Sequence, residues 1–255
     1  MKMLLITDRV MLMAALTTLT DATVRYDSHA ALAGVSLEIG RAAITVVVGH
    51  NGSGKSTLLG VLAGTTQLTS GSLNWRHFDN SPGRVAFVPQ HARLPEAFPM
   101  TVGAAVAMGR WGSRRGRPRA PRRRDWREGR RGHDAQHVRD ALEQLGLEPL
   151  RGRLLGELSG GQRQRALVAQ GIAQDTELLL LDEPTAGVDA ESSERIAACL
   201  ARLAARGRTI VVASHDAGEI AAAGAVVALR DGRLVPGDLG RGHGRLIPGP
   251  TGEHG

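Results

Sequence analysis

The segment Gly49–Thr57, Gly-His-Asn-Gly-Ser-Gly-Lys-Ser-Thr, constrains this chain more than any other stretch. It fits the spacing G-x-x-x-x-G-K-[ST], and it lies between the β-branched run Ala43–Val48 and the helix-like Thr57–Gly64. A strand that ends in a glycine-rich turn and restarts as a helix aims successive backbone N–H groups into one concavity. Such a nest, at the positive end of a helix, takes phosphate oxygens. Gly49, Gly52 and Gly54 let the backbone come close, and His50, Asn51 and Ser53 complete the cradle. Lys55 is expected on the β- and γ-phosphates of a nucleotide, Ser56 on magnesium and Thr57 on a proximal phosphate. Composition sharpens the point. Only Lys2 and Lys55 are lysines among 32 basic residues, so a lysine in this loop is no product of an arginine-biased background. A compact ammonium on a thin stem also suits a phosphate cradle better than a planar guanidinium.

A second stretch supplies acids. Leu178–Pro184 (LLLLDEP) is an apolar strand that ends in two carboxylates. Asp182 at the strand end suits magnesium, directly or through water. Glu183, facing differently one residue on, suits a base that orients and deprotonates the attacking water. Two acids after a buried strand also suit the cap of the next helix; beside the lysine loop the nucleotide reading prevails.

The rest of the pattern frames these two stretches. Leu16–Ile39 alternates apolar and polar residues around a turn at Asp27–His29, as a half-buried antiparallel hairpin does. Ser72–Trp75, Val85–Val88, Leu178–Leu181, Thr209–Ala213 and Ala225–Leu229 read as further strands. Val138–Leu147, Ser159–Gln174 and Ala190–Ala205 read as helices. Apolar strands alternating with helices predict an α/β protein with a parallel-sheet core. The expected domain spans residues 14–235, with a helical part inserted at about 95–170, and residues 236–255 form a glycine- and proline-rich tail expected to be poorly ordered.

Charge distribution argues against a nucleic-acid partner despite a net charge of +7. From Arg110 to His133 there are 11 arginines against Asp125 and Glu128, so this one segment carries the whole excess. It has only two interleaved tryptophans, Trp111 and Trp126, and belongs to no recognition module. A solvated insertion is favoured over a surface for anionic lipid headgroups. The single cysteine, Cys199, excludes an internal disulfide, reads as a buried helix residue and fits a reducing compartment. No apolar run reaches the roughly 20 residues of a membrane span, and Val10–Leu16 is expected to lead into the first strand rather than to serve as a signal peptide.

Leu158–Gln162 (LSGGQ), with Gly49–Thr57 and Leu178–Pro184 in this order and spacing, makes the chain resemble an ABC-type ATPase from about Leu16 to Leu234. The resemblance implies a P-loop NTPase with a RecA-like core, an antiparallel β subdomain and an inserted α-helical subdomain. It implies ATP and Mg2+ as ligands, and a homodimer in which Ser159, Gly160, Gly161 and Gln162 of one copy meet the γ-phosphate held by the other. The same likeness makes Gln90 (VAFVPQ) a ligand of magnesium and water, and His215 (VVASHD) a γ-phosphate contact. Asp189 (AGVD) becomes an interface aspartate, and Tyr26, the only tyrosine, the ring that stacks on adenine.

The stretch Gln90–Arg110 is similar to that of zinc/manganese-type importer ATPases, as is AGVDA; Thr185 departs from that subgroup, which often has a bulkier residue there. This likeness implies a transport ATPase at the cytoplasmic face of the cell membrane, serving a separate integral membrane permease and an extracytoplasmic substrate-binding protein. Iron-siderophore or haem import, drug or lipid export and, more remotely, a soluble ABC ATPase of DNA repair or translation stand as alternatives.

Overall fold

Two kinds of strand follow from two burial patterns in this chain. The computed structural model describes residues 15–76, 84–90, 99–112 and 124–235, with the side chains of 112 and 124–131 excepted. The tail after residue 235, residues 113–123 of the arginine-rich stretch and the start of the Val10–Leu16 segment lie outside the described residues. The chain divides into two compact units, Met1–Asn80 with Ala204–Gly255, and Ser81–Leu203.

In the first unit, β1 (Ala15–Tyr26) and β2 (His29–Gly40) pair antiparallel with Leu19 opposite Leu37 and Val24 opposite Leu32. Those four side chains are buried, whereas Asp21 and Arg25 face solvent. The alternation in sequence is thus the alternation of the pleat. β4 (Ser70–Trp75) completes a three-stranded sheet in the order β2-β1-β4. The second kind of strand is buried on both faces. β3 (Ile44–Val48) lies between β7 (Thr209–Ala213) and β8 (Ala225–Arg230), parallel to both, with Val46 opposite Val212 on one side and Val226 on the other. β9 (Arg233–Leu234) returns antiparallel on β8 through the turn Asp231–Gly232. Helix α1 (Lys55–Ala63) follows β3 and packs on β7 and β2. Leu58, Leu59 and Leu62 are fully buried, so this helix is apolar all round rather than along one stripe. It ends at Gly64, whose φ of 74° caps the last turn.

The second unit pairs β5 (Val85–Val88) in parallel with β6 (Leu178–Asp182), Val88 opposite Leu181. Three helices, α2 (Val102–Gly112), α3 (Arg124–Gln144) and α4 (Gly160–Ala173), pack on one another, and α4 also packs on β5 and β6. Small residues allow the close crossings. A Cβ on Gly171 would lie 2.5 Å from Val88 Cγ2, and one on Gly109 would run into the Gln170 carbonyl. Helix α5 (Ala190–Ala205) buries Ile196, Cys199 and Leu200. Among the described residues no helix is long and apolar enough to cross a membrane.

Candidate nucleotide site

The first unit carries the phosphate loop at the C-terminal end of β3, where a buried parallel strand hands over to α1. Each glycine there meets a different demand. Gly52, with φ of 81° and nothing within 4 Å, is needed for its backbone conformation. A Cβ on Gly49 would collide with the Leu229 carbonyl and with Ser53 Oγ, so that position is set by space. Gly54 is bound by both, with φ of 104° and the Ala31 carbonyl 2.5 Å from where a Cβ would be. Gly54 caps α1 without a side chain, and no acidic residue occupies the first turn. The N–H groups of that turn and the positive end of the helix dipole therefore face an anion unopposed.

Lys55 is buried, and its Nζ donates to the carbonyl oxygens of Gly49 at 2.8 Å and His50 at 3.2 Å. The ammonium thus spans the loop it belongs to, with Ser56 exposed and Thr57 half-buried beside it. His215 leaves the C-terminal end of β7, the strand beside β3, and is exposed. The preceding Ser214 donates its N–H to the Val47 carbonyl at 3.0 Å, which holds the ends of the two strands level. Tyr26 closes β1 and is 54% exposed, the one exposed large hydrophobic residue among the described residues of this unit. An open ring face at a strand end is what base stacking requires.

The second unit brings Gln90 and Glu183 together. Parallel register puts Val88 opposite Leu181, so two residues further on Gln90 falls opposite Glu183. Gln90 Nε2 donates to Glu183 Oε2 at 2.7 Å. Glu183 sits at φ of 49°, a left-handed conformation that costs a non-glycine residue on the order of 1 kcal/mol or more. That turn separates the two acids: Asp182 stays buried at the end of β6 and Glu183 is half-exposed.

Ser159–Gln162 opens α4 as a reciprocal cap. Ser159 Oγ accepts from the Gln162 N–H at 3.3 Å, and the Gln162 side chain accepts from the Ser159 N–H at 3.2 Å. The exposed Gly160 and the buried Gly161 follow in the first turn, which again lacks an acid. Asp189 lies beside them: a Cβ on Gly161 would strike Asp189 Oδ2 and come within 2.5 Å of Ser192 Oγ. Asp189 caps α5, accepting from the Ser192 N–H and hydroxyl at 2.8 Å each. The Ser192 amide first, and its hydroxyl second, hold the Asp189 carboxyl below its usual range.

Two arginines were misjudged or missed from sequence. Arg110, grouped with the solvated insertion, is buried: its Nε donates to Asp134 Oδ1 at 2.9 Å and its Nη1 to the Ala173 and Gln174 carbonyls at 3.0 Å. It caps the C-terminal end of α4, where a cation is favoured. Arg165, two residues past Arg163 in the same helix, is buried and donates to the Leu145 carbonyl at 3.0 Å, fixing the turn after α3. The signal for Arg165 was its place on the apolar face of α4; for Arg110 there was none inside a run of like charges.

A phosphate loop after a buried parallel strand, an acid pair after another and a strand-end histidine define a P-loop nucleoside triphosphatase. The chain belongs to the ABC transporter family, whose model matches residues 32–186. It is similar to the zinc transport system ATP-binding protein TroB of Treponema pallidum, 37% identical over 200 residues that cover 77% of this chain and 71% of that protein. The manganese transport system ATP-binding protein MntB of Halalkalibacterium halodurans is 34% identical over 205 residues, covering 78% and 76%. A nucleotide-free ATP-binding cassette from an ABC transporter shares the fold at a TM-score of 0.73 and 22% identity, covering 91% of this chain and 92% of that one. The chain is accordingly a nucleotide-binding, ATP-hydrolysing cassette of a transport system.

Proposed function

We infer that this chain powers the import of a divalent metal ion, zinc or manganese, through a separate integral membrane permease at the cytoplasmic face of the cell membrane. The metal is cargo, delivered by an extracytoplasmic substrate-binding protein, and no residue of the cassette needs to touch it. The zinc and manganese systems to which the similar proteins belong support this cargo, as does the stretch from Gln90 to Arg110.

The observation that carries the hydrolytic part is the pairing of Gln90 with Glu183 at 2.7 Å, next to buried Asp182. Glu183 takes the proton of the attacking water, and Gln90 orients that carboxylate and the water. Lys55 and His215 stabilise the charge spread over the transferring phosphoryl group, and Tyr26 stacks on the adenine. The donor set of Ser56 hydroxyl, Asp182 carboxylate and Gln90 amide oxygen is all hard oxygen, which fits Mg2+ rather than a soft metal. Bound there, the ion supplies charge neutralisation at the β- and γ-phosphates. Two copies close head to tail, so that Ser159–Gln162 of one reads the γ-phosphate on the loop of the other. Asp189, capping α5 against Gly161, sets the height of that reading surface. An isolated copy therefore binds ATP and turns it over slowly.

The test is ATPase activity of the chain reconstituted with the permease that co-purifies with it, in the presence of binding protein loaded with zinc, manganese or iron. Stimulation by zinc or manganese is expected. Stimulation by iron alone, or by none of them, overturns the cargo.

A further inference from the structure

The turn Asp231–Gly232, between β8 and β9, belongs to none of the groups that touch nucleotide, yet it meets the phosphate loop at three points. The Gly232 N–H donates to the Ser53 carbonyl at 3.0 Å, and the Gly232 carbonyl accepts from the Ala33 N–H at 2.8 Å. A Cβ on Gly54 would lie 3.6 Å from Gly232 Cα and one on Gly232 would lie 2.8 Å from the Ala31 carbonyl, so loop, turn and β2 are in close contact. The third point is a side chain. His50 Nε2 stands 3.4 Å from Asp231 Oδ1, while His50 Nδ1 is 2.8 Å from the Asn51 carbonyl. A ring with a proton on each nitrogen donates to both oxygens; one with a single proton serves only one.

We propose that this turn is a positioning strap for nucleotide: it fixes the phosphate loop to β2, whose hairpin partner β1 carries Tyr26, and so sets the phosphate cradle against the adenine platform. Asp231 and Gly232 are positioning residues and act through the loop. Magnitudes rank the contacts. The His50–Asp231 pair is exposed on both sides, 54% and 79%, and such pairs are weak. Gly232, at φ of 74° and with no room for a Cβ, carries the larger share. The strap holds the loop before nucleotide arrives, so its loss weakens binding and leaves the chemical step alone.

The proposal rests on Gly49–Thr57 being the phosphate loop, and the experiment separates the two. Binding of a fluorescent ATP analogue, KM and kcat for ATP, and Tm are measured on the full chain. The variants are Lys55→Ala, Asp231→Ala, Asp231→Asn, Gly232→Ala, His50→Ala and the His50→Ala/Asp231→Ala pair. Expected are an about two- to five-fold rise in KM for Asp231→Ala at unchanged kcat, with Tm lower by only about 2–4 °C because Asp231 sits at φ of 49°, and recovery of most of both by Asp231→Asn, which keeps an oxygen acceptor and suits that backbone. Gly232→Ala raises KM roughly ten-fold or more. The double variant is no worse than the weaker of its two parents, because one contact is lost once. Should Gly232→Ala fail to fold, the Asp231 and His50 cycle decides. Unchanged KM in the Asp231 variants, or a fall in Tm and kcat without a change in KM, overturns the strap while Lys55→Ala still abolishes binding. If Lys55→Ala binds like the parent, the loop assignment itself has failed.

Discussion

Replacing Gly161 by alanine adds one methyl group where the helix that opens with Ser159 lies against the start of α5. The new Cβ would strike Asp189 Oδ2 and come within 2.5 Å of Ser192 Oγ. The clash both opens the Asp189 cap, with its two bonds of 2.8 Å to Ser192, and pushes α4 off the start of α5. Losing a cap costs about 0.5–2 kcal/mol and overpacking about 1–3 kcal/mol. Together they predict a loss of about 2–4 kcal/mol, less up to about 1 kcal/mol that alanine regains over glycine in a helix. The net loss of about 1–4 kcal/mol is, for a domain of this size, a Tm lower by about 2–16 °C. The neighbouring Gly160 is the internal control, since a Cβ there meets nothing within 4 Å. Gly160→Ala is expected to be at least as stable as the parent, and any fall in its ATPase activity then reports the reading of the γ-phosphate rather than folding. Thermal and urea unfolding of the two variants measure this directly. Equal stability would refute the packing of Gly161 on Asp189.

Arg110→Ala is expected to cost about 2–4 kcal/mol by urea unfolding, because it removes the donor to Asp134 Oδ1 and to the Ala173 and Gln174 carbonyls, while Asp134 keeps partial contact with solvent. Arg110→Lys keeps the charge without the fork and falls between. His137 gives a pH dependence. Burial, more than the nearby Arg110 and His133, lowers its pKa below the ordinary 6.5, against the pull of Asp175 and Asp140. The unfolded chain therefore takes up the proton first. The stability is whole above about pH 6.5 and is lost as pH falls from there through the lower folded value. Urea midpoints at about pH 7.5 and about pH 5.5 should differ more for the parent than for His137→Gln; an equal difference in both removes His137 from that dependence.

Much of this architecture was legible because burial writes itself into sequence. Ile44–Val48 is a β-branched run and Leu178–Leu181 a continuous apolar one, and both became buried strands; Val85–Val88, apolar throughout, became a strand with alternate residues half-buried. Helices were found where their capping residues were also legible, as with Ser159 before α4 and Gly146, φ of 65°, after α3. Residues inside a spaced pattern, such as Lys55, were placed by the pattern itself. Pairings between distant segments were not legible. Gln90 meets Glu183 only because β5 and β6 run in one particular register, and His50 meets Asp231 only because a two-residue turn returns beside the loop. Arg110 was hidden for another reason. A charge run predicts solvent, and only the carbonyls at the end of α4 make its first member a buried cap.

The claim on which the rest depends is that Glu183 activates the water that cleaves ATP bound to Gly49–Thr57. Its most direct measurement is Glu183→Gln, followed by ATP binding, by steady-state turnover and by light scattering for the dimer. The amide keeps the hydrogen-bonding shape and removes the base, so binding should persist and turnover should fall by about 10²-fold or more. The nucleotide-bound dimer should accumulate because nothing reopens it. Turnover within a few-fold of the parent, with ATP bound equally well, would contradict the account.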